Sequence, residues 1–134
     1  MAITRRIAVT ALAILPAAAQ AIPSPTTTPE RSPMYGLIGK MRAHPGQRDA
    51  LIAILLEGTA AMPGCLSYII AKDLADPDAL WITEAWDSQA SHKASLTLPS
   101  VQQAITKGRP LIAGFGDRFE TEPIPPQLGS ASNY

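Results

Sequence analysis

The sequence is poor in the features that mark a nucleic-acid-binding or membrane-surface protein. Its 134 residues contain 11 basic and 11 acidic side chains, so the formal net charge is zero. A neutral chain without long runs of like charge offers no electrostatic footprint for nucleic acid or for an anionic membrane surface. We therefore expect neither of them as a partner.

Cysteine and histidine are also scarce. Cys65 is the only cysteine, which excludes an intrachain disulfide. It lies in the apolar run CLSYIIA, where no basic residue lowers the pKa of its thiol, and we predict a buried, unreactive side chain. The two histidines, His44 and His92, do not combine with it in a spacing such as CxxC or HxxxH, so we expect no metal site.

Residues 1–21 are typical of an export signal. Arg5 and Arg6 precede an apolar run, and Ala19 and Ala21 are the small residues of a signal-peptidase site, so we predict cleavage after Ala21. A membrane anchor would need about 20 apolar residues, and Pro16 ends this run earlier. The TRRIAV segment also resembles a twin-arginine signal, which leaves that route and the general secretory route open. Either route exports the protein to the periplasm or the medium.

Proline-rich segments flank one predicted domain. Residues 22–33 hold four prolines and three threonines, a composition that predicts a solvated linker. Residues 123–134 are similar and are predicted to form a disordered tail. The domain between them, residues 34–122, has the length of a single folded unit.

The period of the hydrophobic pattern changes repeatedly within that domain. It predicts strands at 34–42, 64–74 and 80–86 and a helix at 47–62. A short helix begins at Asp87 or Ser88 and reaches about Leu96. A further helix begins at Pro99 and buries the side chains of Val101, Ala104 and Ile105.

Gly114 and Gly116 are expected to close the helical region, with Phe115 between them in a turn. Residues 117–122, DRFETE, then form a charged edge strand. The order strand, helix, strand, strand, helix, strand predicts an α+β, ferredoxin-like βαββαβ fold with a four-stranded antiparallel sheet.

The second and third strands are apolar on both faces, and this pattern points beyond the monomer. In the second strand Leu66, Tyr68 and Ile70 alternate with Cys65, Ile69 and Ala71. Two helices cover only one face of a four-stranded sheet, and a strand that is apolar on both faces needs cover on both. We therefore predict a homodimer in which a second copy covers the other face.

Four short motifs, in this order and spacing, resemble the antibiotic biosynthesis monooxygenase family. They are HPGQRDAL at the first helix, MPGCLSY before the second strand, WITEAWDSQASHKASL after it, and PSVQQAI in the last helix. The resemblance covers about residues 34–121 and implies a dimeric α+β barrel. In quinol-monooxygenase members it also implies chemistry without a cofactor, in which a quinol-like substrate loses a proton and the anion reacts with dioxygen.

The resemblance implies a base, and His92 is the first candidate because a neutral imidazole accepts protons near pH 7. The alternative is a solvated histidine on a polar helix. His44 is expected to be an exposed turn residue. Glu84 shares a strand face with Ile82 and Trp86, and burial there would raise its pKa toward that of a useful base. The alternative for Glu84 is a structural ion pair with Arg118 or Lys40.

The available aromatic side chains suggest a substrate pocket. Trp86, Tyr68 and Phe115 are the candidates for binding a ring, with Trp81 as a further one; for each, packing in the core is the alternative. The Tyr68 hydroxyl needs a partner when buried and could donate to a substrate oxygen.

Haem degradation is disfavoured by departures from the pattern of haem-degrading relatives. Lys40, Ser95 and Ile105 stand where those relatives have asparagine, tryptophan and histidine. The first hypothesis is therefore an exported, dimeric, cofactor-independent monooxygenase that acts on a quinol or polyphenol-like aromatic with dioxygen. The alternatives are a non-catalytic exported dimer that binds small molecules and a purely structural dimerisation module.

Overall fold

The computed structural model describes residue 13, residues 17–24 and residues 31–125. The predicted leader, residues 1–21, and the linker fall partly outside these residues, and the tail falls almost wholly outside them, so those three boundaries stay predictions. The chain divides into two units, residues 1–30 and 31–134. In the first, residues 17–24 form neither helix nor strand. Among the described helices, none is long and apolar enough to cross a membrane.

The second unit alternates strands and helices in the predicted order. Its elements are β1 (Tyr35–Ala43), α1 (Arg48–Gly58), β2 (Cys65–Lys72), β3 (Ala79–Trp86), α2 (Gln89–Ser95), α3 (Pro99–Gly108), a 3₁₀ turn (Arg109–Leu111) and β4 (Ile112–Thr121). The sheet order is β2-β3-β1-β4, and every pairing is antiparallel. This is the predicted ferredoxin-like α+β fold.

The core lies between the helices and one face of the sheet. Leu51 of α1 packs against Leu80 and Ile82 of β3 and Ala43 of β1, and Leu51 and Leu80 are completely buried. Because successive strand residues point to opposite faces, Glu84 and Trp86 extend this row of β3 on the helix-covered face. The apolar alternation of β3 thus determines which of its side chains meet the helices.

The first helix is shorter than predicted. It ends at Gly58 rather than near Met62. The Thr59 backbone N–H makes the last helical bond, to the Leu55 carbonyl, and the Thr59 hydroxyl donates to the same oxygen at 2.7 Å. A side chain at position 58 would also clash with Cβ of Ala104 in α3. The glycine therefore lets α1 and α3 approach closely, and Pro63 follows in a non-helical connection.

The last strand is longer than predicted. Gly114, Phe115 and Gly116 lie inside β4 and do not form the expected turn. The β1–β4 register shifts between Gly39 and Met41, which gives the strand an irregularity at the glycines. The prediction was wrong because isolated glycines in a strand mark bulges as well as turns.

Two burial predictions also need correction. Ile105 was expected on the buried side of α3 with Val101 and Ala104, which are buried, whereas Ile105 is 37% exposed. Cys65 is half-buried rather than buried. Burial nevertheless raises the pKa of its thiol, with the Glu84 carboxylate adding to the effect, and a raised pKa favours the unreactive thiol form.

Candidate functional site

A glutamate, a tryptophan and a histidine meet where β3 ends and α2 begins. Trp86 Nε1 donates to Glu84 Oε2 at 2.8 Å, and His92 Nε2 lies 3.7 Å from the same oxygen. The side chains of His92 and Glu84 are only 12% and 11% exposed. His92 is thus not the solvated residue of the alternative interpretation, and its imidazole faces a nearly buried carboxylate.

The local sequence explains how His92 reaches this position. The Ser88 hydroxyl caps the start of α2 by accepting the Ser91 backbone N–H at 3.2 Å. One turn later the chain brings His92 back over the end of β3. The buried Ser95 hydroxyl donates to the His92 carbonyl at 2.6 Å, which holds the short helix in place.

Two aromatic rings hold the imidazole from different sides. The centroid of the Tyr35 ring lies 5.1 Å from that of His92, and the Trp86 ring meets it edge-on at 5.5 Å. The Tyr35 hydroxyl donates to Glu120 Oε1 at 2.8 Å, and Arg118 Nη1 lies 3.6 Å from that oxygen. A chain of contacts therefore runs from the β4 edge to the histidine.

The glycine at position 39 creates a hollow in the helix-covered face of the sheet. Gly39 lies between Ile82 on β3 and Arg118 on β4, and a Cβ at this position would meet no atom within 4 Å. The next pairs along the strands are Leu37 with Glu84 and Met41 with Leu80. A missing side chain in the middle of this face leaves open space above the backbone.

A cleft of about 250 Å³ occupies this hollow. Leu37, Met41, Ile82 and Phe115 provide its apolar walls, and Glu84 and Arg118 are the charged side chains on the helix-covered face that border it. Lys40 and Asp117 also border it.

Met41 and Phe115 also line an adjoining apolar cleft of about 520 Å³ between α1, α3 and β4. The two clefts together offer an apolar space with a carboxylate at one end.

Burial shapes the ionisation of this site. Burial raises the pKa of Glu84, while the Trp86 hydrogen bond and the nearby charges of His92 and Arg118 lower it by less. Tyr68 lies directly across from Glu84 on β2. Burial, together with Glu84, holds the pKa of the Tyr68 hydroxyl well above its usual range, so it stays protonated and able to donate.

The structure brings some of the predicted site residues together and separates others. Glu84, Trp86 and His92 are in contact, and Tyr68 neighbours Glu84. Phe115 lines the cleft at a distance from this group and is 75% exposed.

The remaining predicted residues lie elsewhere. Trp81 points to the opposite face, where its indole N–H donates to the Asp73 carboxylate at 2.8 Å. The Lys40 ammonium lies over the Trp81 ring. His44 is exposed in the turn after β1, as expected.

Glu84 does not form the ion pair that was the alternative to a site role. Lys40 pairs with Asp73 at 3.0 Å, and Arg118 lies against Glu120. Among the residues described, no group of three or more histidine, cysteine, aspartate or glutamate side chains could hold a metal ion.

Sequence reasoning missed Tyr35 and Gly39. Tyr35 precedes Leu37 and Gly39 in the same two-residue alternation, which puts it on the Glu84 face once β1 and β3 are paired. Gly39 is a glycine within an apolar strand, a signal of open space or close approach. Both signals need the strand register before they can be interpreted.

Comparison with known proteins places this chain among proteins of one family. The family model described as antibiotic biosynthesis monooxygenase matches residues 34–107. A candidate antibiotic biosynthesis monooxygenase from Chloroflexus aurantiacus J-10-fl is 71% identical over 68% of this chain and 93% of its own, with a TM-score of 0.67. A search of curated proteins found no match.

More distant structures share the fold. A candidate antibiotic biosynthesis monooxygenase from Caulobacter crescentus CB15 is 17% identical, covering 70% of this chain and 92% of its own, with a TM-score of 0.64. A protein from Pseudomonas aeruginosa is 22% identical over 70% of this chain and 97% of its own, with a TM-score of 0.62. The family model covers more than half of the chain and the Chloroflexus protein matches it closely, so this chain belongs to the antibiotic biosynthesis monooxygenase family.

Proposed function

We propose that this protein is a cofactor-independent monooxygenase that oxidises a quinol or polyphenol-like aromatic with dioxygen. The observation that carries the proposal is the His92–Glu84 pair, at 3.7 Å, with Glu84 bordering an apolar cleft. Deprotonation of such a substrate requires a base close to an apolar, ring-sized space, and Glu84 joins the histidine to the edge of this cleft. Membership in the family supports the reaction class.

His92 is the proposed base, and Glu84 is its partner. A neutral imidazole that takes a substrate proton becomes a cation, and the adjacent Glu84 carboxylate stabilises that cation. The Trp86 indole N–H donates to the same carboxylate oxygen at 2.8 Å and fixes its position. The rings of Tyr35 and Trp86 restrict the orientation of the imidazole.

The apolar cleft supports the second step. The substrate anion transfers electrons to dioxygen, a carbon–oxygen bond forms, and the resulting hydroperoxide loses water. The ring gains one oxygen atom, and the two hydrogens it loses leave as water with the second, so no external reductant is needed. Exclusion of water by Leu37, Met41 and Ile82 would protect the anion from reprotonation.

Oxygen uptake tests this proposal. The full chain is given a panel of quinols, naphthalenediols and anthrones in metal-free buffer, and uptake is compared with the autoxidation rate of each compound. We expect faster uptake with at least one compound, and a product that carries label from ¹⁸O₂. Tight binding of a panel member without uptake would instead support the alternative, a non-catalytic protein that binds small molecules.

Export and a homodimer complete the proposal. The leader at residues 1–21 supports delivery of the protein to the periplasm or the medium. The uncovered face of the sheet supports pairing with a second copy, because it exposes large apolar side chains, among them Ile69 and Phe119 at 56% and 55%.

A further inference from the structure

We propose that the cleft over Gly39 binds a hydroxylated aromatic carboxylate and that the Arg118 guanidinium pairs with the ligand's carboxylate. This inference deepens the proposed function, on which it rests for the aromatic character of the ligand. It assigns to Arg118 a role in binding and selecting the substrate.

The position of Arg118 is the first argument. Arg118 is directly across from Gly39, whose missing side chain forms the hollow, and Ile82 lies on the other side of Gly39. Glu84 lies on β3, two strands away from Arg118, and is displaced from it by two residues along the strands. With strands about 4.8 Å apart and a rise of about 3.3 Å per residue, the Cα atoms of Arg118 and Glu84 are about 12 Å apart. A planar ring fits between the two side chains, above Gly39.

The availability of the guanidinium is the second argument. Arg118 Nη1 lies 3.6 Å from Glu120 Oε1, longer than a normal hydrogen bond, and its side chain is 57% exposed. Glu120 Oε1 also accepts the Tyr35 hydroxyl at 2.8 Å. Among the described residues Arg118 faces only this carboxylate and the Tyr35 hydroxyl, which leaves most of its five donors for a ligand. A guanidinium binds a carboxylate with two parallel hydrogen bonds.

The other charged groups at the cleft are less suited to an anion. The Lys40 ammonium is 3.0 Å from the Asp73 carboxylate and lies over Trp81 on the opposite face. Asp117 and Glu84 are carboxylates and repel an anionic group. An anionic substituent therefore points toward Arg118, which leaves the ring hydroxyl at the end of the cleft where Glu84 lies.

Anaerobic binding measurements test the inference. Isothermal titration calorimetry compares 6-hydroxy-2-naphthoate, whose hydroxyl and carboxylate lie at opposite ends of the ring system, with 2-naphthol, which lacks only the carboxylate, on the full chain without oxygen. We expect the naphthoate to bind about three- to fivefold more tightly, the size of effect that a partly solvent-exposed ion pair gives. Arg118→Gln should remove this preference and Arg118→Lys should keep part of it.

Arg42→Gln is the matched control. Arg42 is an exposed arginine on the same sheet that pairs with Asp76 and lies outside the cleft, so this variant should keep the wild-type preference. Gly39→Leu, which fills the hollow without meeting another atom at its Cβ, should weaken the binding of both compounds. Thermal unfolding of each variant establishes that it is folded.

The outcomes separate this inference from the proposed function. Equal binding of the two compounds by the wild type, or a preference that survives Arg118→Gln, overturns the role of Arg118 whatever the oxygen uptake. A preference that depends on Arg118, in a protein that takes up no oxygen with any compound, supports the binding site and counts against the monooxygenase.

Discussion

His92 Nε2 and Glu84 Oε2 lie 3.7 Å apart, with both side chains almost completely removed from solvent. A buried histidine and glutamate at this distance can exchange a proton or share a charge. A substrate in the cleft bordered by Glu84 would supply the proton.

Removing the imidazole should abolish most of the proposed activity. We expect His92→Ala to lower the rate of oxygen uptake about a hundredfold or more, the usual contribution of a general base. His44→Ala is the matched control, because His44 is exposed in the turn after β1 and should be dispensable. Uptake rates that fall equally in the two variants, or in neither, would contradict the role of His92.

Neutralising Glu84 should stabilise the protein more at high pH than at low pH. Because burial raises the pKa of Glu84, the folded protein binds the proton more tightly than the unfolded chain. This contribution to stability is fully present below the unfolded pKa, about 4.3, and is lost as the pH rises through the higher folded value.

Glu84→Gln keeps an acceptor for the Trp86 N–H and has no charge to desolvate. Its unfolding free energy, measured by urea denaturation from pH 4 to pH 8, should rise relative to that of the wild type as the pH increases. Glu57→Gln, at an exposed carboxylate on α1, is the control. A difference that shrinks with increasing pH would show that Glu84 is stabilised in its charged form.

A methyl group at position 58 should destabilise the fold. Gly58→Ala places its Cβ against that of Ala104 and 3.0 Å from the Ser100 carbonyl oxygen, so α1 and α3 must separate. We expect a loss of about 1–3 kcal/mol of unfolding free energy, typical of overpacking. Gly114→Ala, where a Cβ meets no atom within 4 Å, should cost much less in the same denaturant titration.

The proposed homodimer should depend on the face of the sheet opposite the helices. Ile69, Thr83, Ile38 and Phe119 form one row across all four strands of that face. Ile69→Lys should convert a dimer to a monomer in sedimentation velocity, because an interface buries this apolar row and excludes an unpaired charge. Leu74→Lys, at an equally apolar but fully exposed turn position, should leave the dimer intact. A monomeric wild type at tens of micromolar would refute the assembly.

Export should leave Ile22 as the first residue. N-terminal sequencing of the protein from the periplasm or medium of a bacterial host tests the predicted cleavage after Ala21. Replacing Arg5 and Arg6 by lysine should block export only if the twin-arginine route is used. Recovery of the chain with Met1 still in place would argue against a cleaved leader.

The sequence by itself determined the order of the elements and the family. The alternation of apolar side chains in β3 also showed that Glu84, Ile82 and Trp86 share a face, because a strand has a fixed period of two. Proximity in sequence then made His92 a neighbour of Trp86. These conclusions depend on local geometry, which a sequence pattern records directly.

Only the tertiary structure decided what surrounds that group. The contact of Tyr35 with His92 and the pairing of Gly39 with Arg118 join elements far apart in the chain, and the second depends on a register that shifts at the glycines of β4. The close packing of α1 at Gly58 depends likewise on the position of α3. Register and helix packing are set by the sum of contacts across the whole sheet, so no local pattern specifies them.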